Sequence, residues 1–420
     1  MQDKPEEMGH LYLTELEPRA TRARLYSALS LDLDWSKRRW PALAARSFSR
    51  NGWLLRSYRT AFAWALRLSE KEEHMDFGLL LAFRNPQQWA CPFTDLYQAH
   101  IEQAVLAEEL GYDHVWTTEH HFAEDAWSPS LLPILCAIAT RTSRIRLGTF
   151  VLLLPLHHPV RVAEDAATVD ILSGGRLDLG VGQGYWMSEF ASLGIPRTQR
   201  PSRLQEGLEI LRRCFTQERF SFEGTYYHLK DVTLAPKPVQ KPHPPLWVAA
   251  MAEKSVARAA RLGYHLAGSG GADLQRMYDA ALRQQGRNPD EYHIAQLRAV
   301  YVAESREKAW DDAEPHLYYM MSSYDRKFKE AADLPWSETV FSTPTVPPPG
   351  EMRRATGLTF FQAPLIVGTP EDAIRELERY QQETRVTHLV LWMQLAGLDP
   401  QKARRSMELF AKEVIPHFRR

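Results

Sequence analysis

Three groups of residues have side chains suited to chemistry. The first is Glu119-His120-His121-Phe122, which directly follows the apolar run Asp113 to Thr118. An imidazole titrates near neutrality and can therefore hold or release a proton, and a neighbouring carboxylate can orient it. Consecutive residues on an extended chain point to opposite sides, so only one of the two imidazoles is expected in a common site. A plainer reading is that Glu119 and one His only satisfy buried backbone groups. A metal reading fares worse. Two-metal barrel sites use His-x-His, which puts both imidazoles on one face; here the pair is adjacent, and no later His or Asp at a strand end completes a ligand set. No metal is expected.

The second group runs from Gly174 to Gly184, with Gly180, Gly182 and Gly184 at alternate positions and Gln183 between them. Without side chains there, a cofactor or another piece of chain can approach closely. This is not a dinucleotide fingerprint, because the third Gly is misplaced and Trp186 follows. The third group is Ala252 to Ala260, where Lys254 and Ser255 fall in the first turn of an expected helix. A helix N-terminus with a hydroxyl and a cation suits a phosphate, although Ser255 also fits as a simple cap.

The elements that must position these groups alternate. Short apolar runs at 77–83, 113–118, 145–154, 176–181, 246–251, 264–267, 294–302 and 386–393 are each followed by a stretch of helical period. Among these helices are Phe93 to Leu110, stopped by Gly111, and one opened by Ser128-Pro129. Others are Val160 to Leu172, Arg203 to Phe215, one capped by Thr369-Pro370-Glu371-Asp372, and Pro400 to Phe418. Eight strand-helix units make the expected fold an α/β (β/α)8 TIM barrel with insertions; a doubly wound open sheet is the rival, but it usually stops at fewer strands. Arg219 to Asp231 alternates around a central Gly as a hairpin does, which makes it an insertion. Residues 335–364, with Thr343-Pro344-Thr345-Val346-Pro347-Pro348-Pro349-Gly350, break the rhythm between the seventh and eighth strands. They are expected to be an irregular lid over the end of the barrel where sites form.

Composition narrows the rest. The chain has 420 residues, 44% hydrophobic and 25% charged, enough for one elaborated barrel domain over 75–420. A net charge of -1 gives no reason to expect nucleic acid or an acidic membrane as partner. Cys91, Cys136 and Cys214 lie far apart, as in a reduced cytoplasmic protein. No apolar run approaches the ~20 residues of a bilayer span, and the first seven residues are polar and acidic, unlike a signal peptide. Residues 1–74 lack the strand-helix alternation. Within them Trp53 to Leu68 has an amphipathic, basic helical period, readable as a surface-binding helix or as a segment with no fixed place on the domain. The favoured reading is a start-site artefact: Lys71-Glu72-Glu73-His74 can be encoded by codons resembling a ribosome-binding site, just before Met75.

Taken together these residues resemble the luciferase-like flavin monooxygenases, the family that includes bacterial luciferase alpha chains. The resemblance runs from about Met75 to the C-terminus. It is carried in order by Gly111-Tyr112-Asp113 with Val115-Trp116, Glu119-His120-His121-Phe122, Arg144 to Thr149, and His158-Pro159-Val160-Arg161. Glu164-Asp165, Asp170, Ser173-Gly174-Gly175-Arg176, Glu189-Phe190, Gly194 and the run Pro236 to Pro245 continue it.

The resemblance implies a reduced flavin at the C-terminal mouth of the barrel, with His120 beside its reactive edge and Glu119 positioning that imidazole or sharing its proton. It implies that the ring rests against Thr149, Phe150 and Val151, where the family often has a non-prolyl cis peptide. Gly182, Gln183, Gly184 and Tyr185 would line the flavin, Arg203 would bind its phosphate, and the helix start at Lys254-Ser255 would offer amides to the same phosphate. Gln183 departs from the Arg of the luciferases, which removes one cation from the site. The expected activity is oxygenation of a small organic substrate with reduced FMN and O2, the FMN supplied by a separate flavin reductase. The alternatives are a deazaflavin-dependent reductase or dehydrogenase, a flavin-binding subunit without catalysis, and a metal-dependent barrel hydrolase. A homodimer through helices of the second and third units is expected by resemblance alone.

Overall fold

The computed structural model describes residues 75–268, 271–330, 346–355 and 357–419. The readings made for residues 1–74 lie outside the described residues, as does the stretch 331–345 of the Pro-rich insertion.

Along the chain the strands are β1 (Asp76–Leu81), β2 (His114–Thr117), β3 (Arg146–Thr149), β4 (Leu152–Leu153), β5 (Leu177–Gly182), β6 (Phe220–Glu223) and β7 (His228–Val232). They continue as β8 (Leu246–Ala250), β9 (His265–Gly268), β10 (Ile294–Val302), β11 (Thr359–Phe360), β12 (Ala363–Pro364), β13 (Ile366–Gly368) and β14 (His388–Trp392). Eight of them, in the order β14-β1-β2-β3-β5-β8-β9-β10, pair in parallel and close on themselves through β10 and β14. The closed (β/α)8 barrel expected from the alternation is what forms. The β6–β7 pair is antiparallel, the hairpin insertion expected at 219–231.

The helices are α1 (Phe93–Leu110), α2 (Leu131–Ala139), α3 (Pro159–Ser173), α4 (Met187–Ser192) and α5 (Arg200–Thr216). After them come α6 (Glu253–Leu262), α7 (Ala272–Gln284), α8 (Arg306–Glu330), α9 (Pro370–Glu383) and α10 (Pro400–Glu413). Gly111 ends α1 with φ 84, a conformation that strains residues with a Cβ. At α9 the Thr369 hydroxyl accepts from the Asp372 amide while Asp372 accepts from the Thr369 amide, so the cap read from sequence is the one that forms.

Three local expectations need correcting. Ser128 does not cap α2, which starts at Leu131; its buried hydroxyl donates to the Thr118 carbonyl at 2.8 Å and so closes the loop after β2. The third strand is not continuous over 145–154: it breaks into β3 and β4 around a cis Phe150–Val151 peptide. The insertion before the last strand is not irregular throughout. Its second half folds into the β11–β12 hairpin, turned by Phe361 and Gln362 at φ 52 and 61, and β13 then pairs with the outer end of β10.

Two apolar layers result. One lies between the sheet and the helices; the other fills the barrel itself, with Leu80, Trp116, Trp247, Leu297, Val390 and Trp392. Trp116 fits inside only because Gly78 and Gly148 face it: a Cβ at Gly78 would lie 2.8 Å from its indole nitrogen, and one at Gly148 would overlap its ring. Among the described residues no helix is long and apolar enough to cross a membrane.

Candidate active site at the barrel mouth

The C-terminal ends of the strands surround a cavity of about 150 Å3. Phe150 and Val151, Tyr324 of α8 and Phe361 of the β11–β12 turn all line it. That volume is below the ~300 Å3 at which small-molecule pockets usually begin, because the aromatic rings of α8 and the hairpin reach into it.

The alternating glycines have two separate uses. A Cβ at Gly180 would overlap the Thr149 carbonyl oxygen, and one at Gly182 would lie 2.6 Å from Val151, so both admit the bent third strand. Gly182 also lines the cavity together with Gln183, Gly184 and Tyr185. Thr149 itself does not line it. Its hydroxyl donates to the Gly180 carbonyl at 2.6 Å and accepts from the Gly180 amide at 2.9 Å, locking β3 to β5 beneath the cavity.

His120 lies on the cavity wall with 6% of its surface exposed. Its ring stacks on Trp186 at 3.7 Å and meets Trp127 edge-on at 4.5 Å, which fixes its plane. Its Nδ1 lies 2.9 Å from Oε1 of Glu189, a carboxylate with no exposed surface. Oε1 also accepts from the His121 amide at 2.9 Å, while Oε2 has no partner among the described residues. With Nδ1 donating to Glu189, Nε2 is the ring atom that can take up or give a proton in the cavity.

Glu119 lines the cavity too, but the expectation that it positions His120 is corrected: the carboxylate on His120 is Glu189. Glu119 Oε1 lies 2.6 Å from Nε2 of both His121 and His157, and Oε2 accepts from the Leu153 amide of β4 at 3.0 Å. Burial would raise this carboxyl, yet the two imidazoles overcome it and hold it down at about 2. Burial likewise works against a charge on His157, but the Glu119 carboxylate outweighs it and raises that imidazole. His120 and His121 thus diverge as adjacent residues should. His157, however, does complete a three-residue group with Glu119 and His121, which removes one of the sequence arguments against a metal.

The expected phosphate ligands are not gathered in one place. Ser255 lines the cavity from the start of α6, its hydroxyl donating to the Ala252 carbonyl at 2.7 Å. Lys254 is exposed, outside the lining. Arg203 is also outside it: Nε donates to Gln199 at 2.9 Å and the guanidinium lies 4.8 Å over the Tyr226 ring of the β6–β7 connection. Gln183 is half-buried on the wall, and among the described residues that line the cavity none is a lysine or an arginine.

Sequence reasoning gave no role to Glu189, Trp186 or Trp127. Glu189 follows the glycine run in a short helix, and a carboxylate among apolar residues was the one available signal. Trp127 has no such mark, since its place depends on the fold of the 119–128 loop. Burial raises the phenols of Tyr185 and Tyr324 well above their usual range, so both remain protonated donors beside the cavity.

Residues 75–388 match the family described as luciferase-like monooxygenase. The chain belongs to that family. Its relatives include the 4-hydroxyprotoasukamycin monooxygenase of Streptomyces nodosus subsp. asukaensis, 31% identical over 82% of this chain and 93% of that protein. The F420-dependent glucose-6-phosphate dehydrogenase of Amycolatopsis mediterranei is 29% identical over 76% and 94%. Among solved structures, the monooxygenase RslO1 from Streptomyces bottropensis superposes with a TM-score of 0.70 at 27% identity, covering 82% of this chain and all of that one. The chain is therefore a luciferase-like flavin-dependent oxidoreductase, and the family contains both oxygenases and deazaflavin dehydrogenases.

Proposed function

We propose that this protein is a monooxygenase that uses reduced FMN, supplied by a separate reductase, and O2 to oxygenate a small organic substrate. The observation that carries the reading is His120, buried on the cavity wall with Nδ1 bound to Glu189 and Nε2 left to the cavity. Bound reduced flavin would supply electrons and the oxygen-reactive carbon. The chain's own part would be to hold the ring between the Phe150–Val151 wall and the Tyr324–Phe361 face, and to exchange a proton at His120 Nε2. It would also keep water out with Trp127, Trp186 and Trp392.

The residues present fit such a ring on one count in particular. Gly182 and Gly184 leave backbone instead of side chains along one wall, and the cavity's surroundings are aromatic and aliphatic. The phosphate would lie toward Ser255 and the start of α6, where a hydroxyl and helix amides are available. With no lysine or arginine among the described lining residues, FMN is expected to bind loosely, as a co-substrate. Two copies would pair through α2 and α3, where Ile171 and Leu172 are exposed.

Turnover under labelled O2 tests the reaction. The product should carry one labelled oxygen atom with reduced FMN and a reductase present. The second reading, hydride transfer with a deazaflavin, is favoured by the dehydrogenase relative; oxygen-independent reduction of F420 by a substrate would establish it and overturn the first.

A further inference from the structure

We propose that the floor of the barrel, opposite the mouth, binds a divalent cation of the zinc class through Asp76, His114 and His388. These three open β1, β2 and β14, which are neighbours in the barrel. The register sets Asp76 directly beside His388, and Gly78 beside His114. A Cβ at Gly78 would lie 2.8 Å from the His114 Cβ, so its absence gives that side chain room.

The three groups offer ligand atoms that all lie within 4.8 Å of one another, and His388 Nε2 is 3.3 Å from Asp76 Oδ2. Tetrahedral zinc holds such atoms roughly 3.3 Å apart, within reach of small side-chain rotations.

Each imidazole also has an outer partner of the kind that orients a metal ligand. His388 Nδ1 lies 2.8 Å from the Thr387 hydroxyl, which leaves Nε2 facing Asp76. His114 Nε2 lies 3.6 Å from Asp178, a carboxylate itself held by Arg146 and Trp247. That leaves Nδ1 of His114, which is 2% exposed, with no partner among the described residues. An orphaned imidazole nitrogen at this depth is a donor without an acceptor or a ligand without its ion. The His293 ring, 5.0 Å from that of His388, stands where a fourth ligand or a bound water would complete the sphere.

The group at Glu119, His121 and His157 is equally compact but differs on this point. Both of its Nε2 atoms lie 2.6 Å from Glu119, at hydrogen-bond distance, and neither imidazole has a nitrogen that is buried without a partner.

The test uses the full chain, stripped with a chelator and dialysed against Zn2+ or Co2+. About one equivalent should be retained, and Co2+ should give the visible bands of a four-coordinate nitrogen and oxygen site. Asp76→Asn and His388→Gln should each weaken retention at least about 10-fold, while His121→Ala should not. FMN binding at the mouth should be unchanged in the two floor variants, which separates this site from the proposed reaction. No retained metal in the wild-type chain, equal retention in the floor variants, or loss only in His121→Ala would each overturn the proposal. Should a floor variant fail to fold, the Co2+ spectrum of the wild-type protein decides alone.

Discussion

At the mouth of the barrel the imidazoles of His120, His121 and His157 each lie within 2.9 Å of a carboxylate, whereas at the floor His388 and His114 stand 3.3 and 3.6 Å from theirs, and the rings of His114, His265, His293 and His388 crowd against one another and Trp247. At the mouth, Glu119 raises His157 toward its charged form. At the floor, burial pushes His114 and His265 down to about 4, which keeps them neutral. The charged form is thus favoured for His157 at one end, and the neutral form for His114 and His265 at the other. Environment, and not residue type, separates the two.

The largest expected effect lies at the join between these regions. Gly180→Val would drive a side chain into the Thr149 carbonyl and break the lock between β3 and β5. A loss of about 3 kcal/mol or more in chemical denaturation is expected, enough to leave little folded protein. Next, His120→Ala should lower turnover by about 100-fold or more, the usual size of a lost acid–base group, in protein that still folds. Unchanged turnover would end the role assigned to this imidazole.

Glu189→Gln keeps the shape and loses the charge: the amide oxygen still accepts from His120 Nδ1 and the His121 amide, but a protonated His120 ring loses its carboxylate partner. A roughly 10-fold fall in kcat with little change in KM is expected for a positioning group, whereas a fall in stability alone would reduce Glu189 to a structural role.

The smallest effect is in the pH dependence of stability. Glu119 sits below its ordinary value, so its contribution is present above pH 4.5 and is lost as the pH falls toward 2. His157 is raised, so its contribution is full below pH 6.5 and is lost as the pH rises through its folded value. The buried His100, lowered to about 4, adds a term of the other sign, present above pH 6.5 and lost on acidification. Melting temperatures of His157→Gln against wild type should therefore differ most between about pH 4.5 and 6.5, and converge at higher pH. A difference that stays the same as the pH rises past the folded value of His157 would contradict the ion pair.

Much of the frame was legible because it rests on local signals. The strand-helix alternation, Gly111 as a stop and the Thr369 to Asp372 cap are each decided within a few residues. The place of His120 and of Gly182-Gln183-Gly184 at the barrel mouth was legible too, since both lie at or just after strand ends. What failed depended on distant partners. Glu119 is adjacent to His120 in sequence, but extended geometry turns it to His121 and His157, and the true partner lies 69 residues further on. Ser128 looked like a helix cap beside Pro129, yet the loop spends its hydroxyl on Thr118. Arg203 is expected as a phosphate ligand by resemblance, and its place over Tyr226 depends on the hairpin packing, which no local pattern gives. The floor cluster draws on residues from 76 to 388, beyond any local pattern.

The central claim is that the mouth cavity is the flavin site, and anaerobic titration with reduced FMN tests it most directly. Wild-type protein should bind reduced FMN saturably at one per chain. Ala249→Trp, which puts a large ring on the wall beside Gly182, should abolish binding without lowering the melting temperature by more than a few degrees. Binding that survives this substitution, or no binding of reduced FMN by the wild-type chain, would contradict the account.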